Sequence, residues 1–193
     1  MELLVQKYGG SSLGTVARIQ SVAQQIAHEV VEAGKDHRRV VVVSAMGDTT
    51  DELIRLATEV CSTKESQSQS AKASVQREMD MLLSVGERVS MSLLSMALSC
   101  RGVRAISLTG SQTGIITTCE HRRARIRKIR PHRLLEFLEH YPVVIVAGFQ
   151  GVSEKREITT LGRGGSDTTA VALAASLQAQ RCEIRTDVPA LFS

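Results

Sequence analysis

The stretch LLVQKYGGSS (residues 3–12) indicates the fold class of the chain. Its first six residues are mostly apolar, as in a short buried β-strand, and a glycine pair and two serines follow directly. From Val16 to Val30, apolar residues recur at the three- and four-residue spacing of an amphipathic helix. The order strand, tight turn, helix is the unit from which parallel α/β sheets are built.

The same alternation continues along the rest of the chain. The predicted strands cover residues 3–8, 40–45, 103–108, 143–147 and 182–186, with a short hairpin arm at 158–161. The predicted helices cover residues 79–98, 131–141 and 168–177, and another begins near Asp51. Residues 62–76 are rich in serine and glutamine and predict a polar surface loop. With no internal repeat and no linker, this pattern predicts an α/β fold whose mostly parallel sheet has helices on both faces.

The composition fits a folded domain and excludes several classes of function. Of the 193 residues, 42% are hydrophobic and 23% are charged, which is close to an average globular protein. Aromatic residues make up only 3%, too few for the base-stacking surfaces of RNA-binding sheets. We therefore expect an aliphatic core and no nucleic-acid partner.

The lack of a recognisable targeting signal and the spacing of the cysteines predict a cytoplasmic protein. No apolar run approaches the ~20 residues that cross a bilayer, and the first residues do not resemble a signal peptide. The four cysteines are far apart and form no CxxC pair, as expected for reduced thiols rather than a disulfide framework or a zinc site. The sequence predicts no membrane association and no metal bound by the protein itself.

One segment is strongly basic. HRRARIRKIRPHR (residues 121–133) holds seven of the 24 lysines and arginines and no acidic residue. A nucleic-acid-binding tail is one interpretation. Ala124, Ile126 and Ile129, however, interleave the charges with apolar residues. That pattern favours a solvated helix face or a segment that faces an anion.

Two glycine-rich turns, at residues 9–12 and 161–167, lead into predicted helices. In a parallel sheet such turns lie at the carboxyl edge, where open α/β folds bind ligands. Their backbone N–H groups and the helix N-terminus favour an anion, above all a phosphate. Neither a P-loop nor a dinucleotide fingerprint is present, because Asp36 follows the Gly-Lys pair at 34–35 and the second turn ends in Asp167.

Three charged residues near these turns have both a functional and a structural interpretation. Lys7, at the end of the first strand, neutralises phosphate oxygens in one interpretation and is an ordinary surface lysine in the other. Asp167 either orients that lysine or the metal-bound phosphates, or serves as a helix N-cap. Glu87 lies inside a predicted helix next to Arg88, and its spacing alone favours a solvated charge cluster.

Taken together, five ordered motifs resemble the aspartokinases of the amino acid kinase family, over essentially the whole chain. They are KYGGSS (7–12), SAMGDTT (44–50), MDMLLSVGER (79–88), AGFQG (147–151) and TLGRGGSDTT (160–169). The resemblance implies an αβα sandwich in one amino acid kinase catalytic domain over residues 1–193. It also implies ATP-dependent phosphorylation of the β-carboxylate of L-aspartate to 4-phospho-L-aspartate. That reaction is the first step toward lysine, threonine and methionine.

The resemblance also implies roles for particular residues. Lys7 is expected to stabilise the transferring phosphoryl group, Asp167 to orient that lysine, and Arg163 to pair with the α-carboxylate of aspartate. Glu87 is expected to receive the α-amino group. The hydroxyl contacts to aspartate are expected from Ser44, Thr50 and Ser166. ATP, with Mg²⁺ on its phosphates, is expected to contact Lys7, Tyr8, Gly9, Gly10, Arg163, Gly164, Gly165, Ser166, Thr186 and Asp187.

The chain departs from the family pattern at its end. Residues 187–193 read DVPALFS, with alanine and phenylalanine where the family has glycine and tyrosine. The family's further nucleotide-binding strands and its ACT regulatory domains do not follow. We therefore expect a C-terminally truncated domain with an incomplete nucleotide-binding lobe and no feedback control by lysine or threonine.

Three hypotheses about function stay open. The first is an aspartate kinase catalytic domain. The second is another acid-phosphorylating kinase of the same fold, such as a glutamate 5-kinase, which the motifs at 79–88 and 160–169 disfavour. The third is an inactive aspartokinase-like protein that binds aspartate or a partner subunit. Beyond L-aspartate and ATP, the expected partners are a second copy of the chain or an intact kinase subunit.

Overall fold

A five-stranded, all-parallel sheet forms the centre of the structure, a computed structural model that describes residues 2–34, 36–62 and 69–185. Across the sheet the strands are β3 (Ala105–Leu108), β6 (Val143–Ala147), β2 (His37–Val43), β1 (Glu2–Tyr8) and β9 (Arg181–Arg185). Every residue of β6 is buried. Continuous aliphatic runs of this kind are typical of strands that are covered on both faces.

Helices cover both faces of this sheet. Alternate residues of a strand point to opposite faces, so Val41 and Val43 of β2 pack on one side and Val40 and Val42 on the other. The first side is closed by α1 (Val16–Ala33) and α3 (Gln69–Ser99), and the second by α4 (His132–His140) and α5 (Gly165–Ser176). The remaining helix, α2 (Thr49–Val60), packs on α3. The predicted αβα sandwich with a mostly parallel central sheet is confirmed.

A second, four-stranded sheet lies beside the first. Its order is β5 (Ile126–Ile129), β4 (Ile115–Thr117), β7 (Gln150–Ser153) and β8 (Ile158–Thr160). Only the pairing of β4 with β7 is parallel. The predicted hairpin arm corresponds to β8, but the other three strands were not predicted, because three or four residues are too few to show a period.

In two segments, residues 121–133 and 62–76, the local structure differs from the prediction. Residues 121–133 do not form a helix face, because they contain a turn, the strand β5 and only the first two residues of α4. The predicted polar loop at 62–76 is helical from Gln69 onward, while residues 63–68 lie outside the described part. The packing of the apolar later turns of α3 stabilises the whole helix, so its polar first turns follow.

The helix α3 has 31 residues and contains a long apolar stretch. Residues Ala71–Ser99 are long and apolar enough to cross a membrane by length and composition alone. In this structure α3 contacts α1, α2 and strands of both sheets, and two acids, Asp80 and Glu87, lie on its buried side. These are the contacts of a core helix.

Candidate active site

A cleft of about 350 Å³ opens at the carboxyl ends of β1 and β2. It is lined by Lys7, Gly10, Ser44, Ala45, Gly47, Thr50, Glu87, Phe149 and residues 162–167. Parallel strands bring the loops that follow them to one edge of the sheet. For that reason, segments that are far apart in the sequence meet here.

Lys7 and Asp167 form an ion pair in this cleft. The Lys7 Nζ atom lies 2.7 Å from Asp167 Oδ1, and the lysine side chain is only 13% exposed. Lys7 is therefore not an ordinary surface lysine. Asp167 does not cap α5 either, because Gly164 occupies the N-cap position and Asp167 lies in the first turn. An acid in the first turn interacts favourably with the helix dipole, and from there it reaches the lysine.

The two glycine-rich turns pack closely against neighbouring loops. A Cβ atom at Gly10 would lie 2.8 Å from the carbonyl oxygen of Ala45, so a larger residue would separate the first turn from the loop after β2. Gly164 has φ of +75°, a conformation that favours glycine. The sequence predicted that the first turn leads directly into α1, and this prediction was wrong. A 3₁₀ turn over Ser11–Leu13 intervenes, and α1 begins after the N-cap residue Thr15.

Glu87 is buried at the cleft and is not part of a solvated charge cluster. Its residue exposure is 3%, and its Oε1 atom accepts a hydrogen bond of 3.2 Å from the backbone N–H of Ala45. Its Oε2 atom has no partner among the described residues. Burial raises the pKa of this carboxyl from 4.5 to about 7. The prediction from spacing was wrong because α3 packs tightly on the loop after β2, where a Cβ at Gly86 would lie 2.7 Å from Ala45 Cβ.

The remaining predicted site residues differ in where they lie. One group lines the cleft and comprises Ser44, Thr50, Arg163, Gly164, Gly165 and Ser166. Gly9 lies next to the cleft, since a Cβ there would be 3.5 Å from Lys7 Nζ. The Tyr8 side chain instead packs in the core beside α1, where burial raises its pKa to about 12. Thr186 and Asp187 lie outside the described residues.

A larger, basic cavity adjoins the cleft. Its volume is about 1170 Å³, and it shares Gly162 and Arg163 with the cleft. The other basic residues around it are His121, Arg122, Arg123 and Arg125. The first half of the basic run therefore surrounds a cavity next to the ion pair. Its interpretation as an anion-facing segment stays a prediction.

Sequence reasoning missed two residues of this region. Phe149 lines the cleft with φ of 65°, an unusual conformation for an aromatic residue and one that concentrates at functional sites. Asp80 is fully buried and binds the turn at His121 and Arg122. Its spacing was a usable signal, since Asp80 precedes Glu87 by seven residues and so lies on the same face of a helix.

A parallel sheet with glycine-rich turns and a lysine–aspartate pair at its carboxyl edge defines an α/β protein with a candidate phosphate-binding cleft. The chain belongs to the amino acid kinase family, whose sequence model matches residues 2–193. Aspartokinase 2 of Bacillus subtilis is 54% identical over 193 residues, which are 100% of this chain and 44% of that protein. An aspartokinase of Geobacillus stearothermophilus is 53% identical with the same coverage. The chain therefore spans less than half the length of these relatives.

Solved structures show the same likeness. The aspartate kinase from Synechocystis superposes with a TM-score of 0.77 at 53% identity, over 97% of this chain and 29% of that one. The Escherichia coli aspartokinase III, solved in complex with aspartate and ADP, gives a TM-score of 0.78 at 27% identity, over 97% of this chain and 50% of that one. The resemblance to aspartokinases that the motifs indicated is confirmed.

Proposed function

We propose that this chain forms the aspartate-binding and phosphoryl-transferring part of an aspartate kinase. One observation carries the proposal: a single cleft holds the Lys7–Asp167 ion pair, a buried Glu87 carboxylate with an unpartnered oxygen, and Arg163. In the proposed reaction a β-carboxylate oxygen of L-aspartate attacks the γ-phosphorus of ATP. The bond from that phosphorus to the β–γ bridging oxygen breaks, so that ADP and 4-phospho-L-aspartate form.

The charges of the cleft match those of an amino acid. Glu87 offers a carboxylate oxygen to the α-ammonium group, and Arg163 offers a planar guanidinium group to the α-carboxylate. The hydroxyl groups of Ser44, Thr50 and Ser166 supply further polar contacts. Because the attacking β-carboxylate is already ionised, no side chain has to remove a proton from it. Catalysis then depends on positioning and on charge neutralisation.

The phosphoryl group meets a positive environment in the proposed complex. Lys7 brings its ammonium group close to the transferring phosphoryl, and Asp167 fixes the direction of the lysine side chain. Backbone N–H groups at Gly9 and Gly10 and at the N-terminus of α5 add donors for phosphate oxygens. Within residues 2–34, 36–62 and 69–185, no three acidic, histidine or cysteine side chains cluster to hold a metal. The proposal places Mg²⁺ on the nucleotide phosphates.

The wider setting follows from the resemblance and is part of the proposal. The chain acts in the cytoplasm, in the formation of lysine, threonine and methionine, as an amino acid kinase catalytic domain over residues 1–193. Thr186 and Asp187 begin its nucleotide-binding edge. It associates with a second copy or with an intact kinase subunit. Because the chain spans less than half the length of its relatives, an assay should compare the chain alone with the chain mixed with an intact subunit.

Hydroxylamine trapping tests the proposed reaction directly. The purified chain is incubated with ATP, Mg²⁺ and L-aspartate, alone and after mixing with a full-length aspartokinase subunit made inactive by substitution. Aspartyl hydroxamate is the expected product. Product from L-glutamate instead would favour a different acid kinase. Binding of aspartate without any product would favour the non-catalytic alternative.

A pair of arginine variants tests the assigned substrate contact. Arg163→Gln is expected to raise the KM or Kd for L-aspartate by about tenfold to a hundredfold, as expected for loss of a charge-assisted contact. Arg101→Gln is the matched control, because Arg101 is exposed just beyond α3 and its guanidinium group donates a hydrogen bond to the carbonyl of Ala97. Equal aspartate affinities in the two variants would contradict the assignment.

A further inference from the structure

Asp80 is a fully buried carboxylate that the proposed reaction does not use. Burial of a carboxylate is unfavourable unless the group is paired or hydrogen-bonded. It lies in α3 among apolar neighbours, in the sequence MDMLL. An acid in such a position needs a structural or a functional explanation.

Within the described part of the chain, the hydrogen-bond partners of Asp80 belong to two segments, one beside the basic cavity and one that leads into the cleft. The His121 ring nitrogen Nδ1 lies 2.8 Å from Oδ2. The backbone N–H of Arg122 donates to both carboxylate oxygens, at 3.0 and 3.1 Å. The hydroxyl group of Thr160 donates to Oδ1 at 2.5 Å. Both oxygens of Asp80 are therefore satisfied, and one side chain joins the turn after β4 to the end of β8.

These two segments also contact each other, next to Arg163. The N–H of Ala124 donates to the carbonyl of Thr160 at 3.0 Å. A Cβ atom at Gly162 would lie 3.3 Å from the carbonyl oxygen of Arg122. Thr160 precedes Arg163 by only three residues. The position of Arg163 thus depends on contacts that converge on Asp80.

The turn that Asp80 holds has an unfavourable backbone conformation. Arg122 has φ of 67°, a region that residues other than glycine seldom occupy. Its N–H group is the one that donates to both oxygens of Asp80. The buried carboxylate therefore stabilises a strained backbone beside the cleft, where strain of this kind tends to have a function.

Asp80 and Glu87 lie on the same face of α3, two turns apart. Seven residues of helix place their Cα atoms about 10 Å apart along the axis. One rigid helix therefore carries Glu87, which faces the cleft, and Asp80, which fixes the segment that leads to Arg163. Glu87 and Arg163 are proposed to bind the α-ammonium group and the α-carboxylate of an amino acid. The positions of both therefore depend on α3.

We propose that Asp80 is a positioning residue, which acts through Thr160 and Arg122 to hold the segment at residues 161–166 at a fixed distance from Glu87. The identity of the bound molecule, an amino acid with a free α-carboxylate, rests on the proposed function. The positioning itself does not. Loss of the Asp80 contacts loosens this segment and weakens the binding of L-aspartate, while the Lys7–Asp167 contact remains.

Variants of two neighbouring threonines separate positioning from stability. Thr160→Val removes the hydroxyl that binds Asp80 and keeps the shape of the side chain. Thr160→Ser keeps the hydroxyl. Thr159→Val is the matched control, because Thr159 is equally buried and its hydroxyl lies 2.6 Å from Thr117 Oγ1, away from Asp80. These changes avoid Asp80→Asn, which leaves a buried amide among donors and endangers folding.

The first measurement is amide hydrogen exchange of peptides that cover residues 161–168. We expect about fivefold faster exchange in Thr160→Val than in Thr159→Val, as for the loss of one buried hydrogen bond that affects only this segment. Thr160→Ser is expected to exchange at the wild-type rate. Equal exchange in the two valine variants overturns the proposal, whether or not the protein binds aspartate.

The second measurement is the affinity for L-aspartate, by calorimetry or as KM. We expect a rise of about fivefold in Kd for Thr160→Val, no change for Thr159→Val and recovery in Thr160→Ser. A purely structural role would lower the melting temperature of both valine variants without this split. Faster exchange together with unchanged aspartate affinity overturns the link to the substrate. A wild-type protein that binds no aspartate contradicts the proposed function, and the exchange comparison still decides the positioning role.

Discussion

Two parts of α3 differ in what they bury. In the last turns of the helix, Met91, Leu94 and Leu98 pack into the aliphatic core beneath the central sheet. In its middle turns, two buried acids, Asp80 and Glu87, face the cleft and its neighbouring segments. The apolar residues of this helix favour the folded state through their burial. Its two acids place charge where burial is unfavourable.

This difference shows where the function lies. The apolar side chains of the last turns hold α3 against the sheet, whereas the two acids connect the helix to the cleft and to the segments beside it. Among the described residues, the Oε2 atom of Glu87 has no partner, and a bound cation can satisfy it. We expect changes in the apolar last turns to alter stability, and changes around the cleft to alter ligand binding and turnover.

The largest expected effect belongs to Lys7. Lys7→Met removes the ammonium group but keeps much of the length of the side chain, so we expect turnover to fall by about a thousandfold, within the range for loss of one electrostatic contact in a transition state. Lys155→Met, in an exposed turn, is the matched control. Steady-state kinetics of both variants give the comparison. A fall of less than tenfold in Lys7→Met would contradict the proposed role.

The next effect concerns the apolar last turns of α3. Leu94→Ala leaves a cavity in a fully buried position, and we expect the free energy of unfolding to fall by about 3 kcal/mol. Denaturant unfolding measures this change. At a temperature where the variant is folded, its affinity for L-aspartate should equal that of the wild type. A parallel loss of affinity would show that the apolar last turns of α3 and its two buried acids are not independent.

The third effect concerns the pH dependence at Glu87. Because burial raises its pKa from 4.5 to about 7, the folded protein binds more protons than the unfolded chain between those values. The free energy of unfolding therefore falls as the pH rises through this window, by up to about 3 kcal/mol. Glu87→Gln does not titrate, so it should be more stable than the wild type at pH 8 and similar to it at pH 5. Parallel stability curves of the two proteins would contradict this expectation.

The same carboxyl predicts the pH dependence of ligand binding. An ammonium group binds the ionised form of Glu87, so the affinity for L-aspartate should fall by about tenfold per pH unit below pH 7. Calorimetry at several pH values checks the slope. In Glu87→Gln the affinity should be low and nearly independent of pH in this range. A slope that is equal in both proteins would assign the titration to another group.

The central sheet could be predicted from the sequence, but the second sheet could not. The aliphatic runs in β2 and β6 leave few alternatives to a strand buried on both faces. The strands β4, β5 and β7 have three or four residues each, and their pairing depends on partners far along the chain. Local periodicity holds no information of that kind.

The site was predictable where parallel topology decides it. The first glycine turn follows β1 and so lies at the carboxyl edge of the central sheet. The second follows β8 of the other sheet, but α5 leads from it to the start of the parallel strand β9, so α5 begins near the same edge, and Lys7 and Asp167 meet there. Glu87 and Asp80 were harder, because their burial depends on the packing of α3 against the loop after β2 and against β8. From spacing alone Glu87 resembled a solvated residue, and only the family resemblance gave it a role.

The smallest expected effect comes from the basic cavity beside the cleft. Arg123 and Arg125 face this cavity, which joins the cleft at Arg163. Both are exposed, so water and salt screen their charges. Replacing both by Gln should raise the KM for L-aspartate by about twofold at low ionic strength, because attraction of an anionic ligand acts over a Debye length of about 10 Å at 0.1 M salt.

The effect should vanish near 1 M salt, where that length is about 3 Å. Arg127→Gln, whose guanidinium lies 3.9 Å from Glu154, should show no such salt dependence. A twofold effect that persists at high salt would instead indicate a direct contact with the ligand, and the cavity would then belong to the binding site itself.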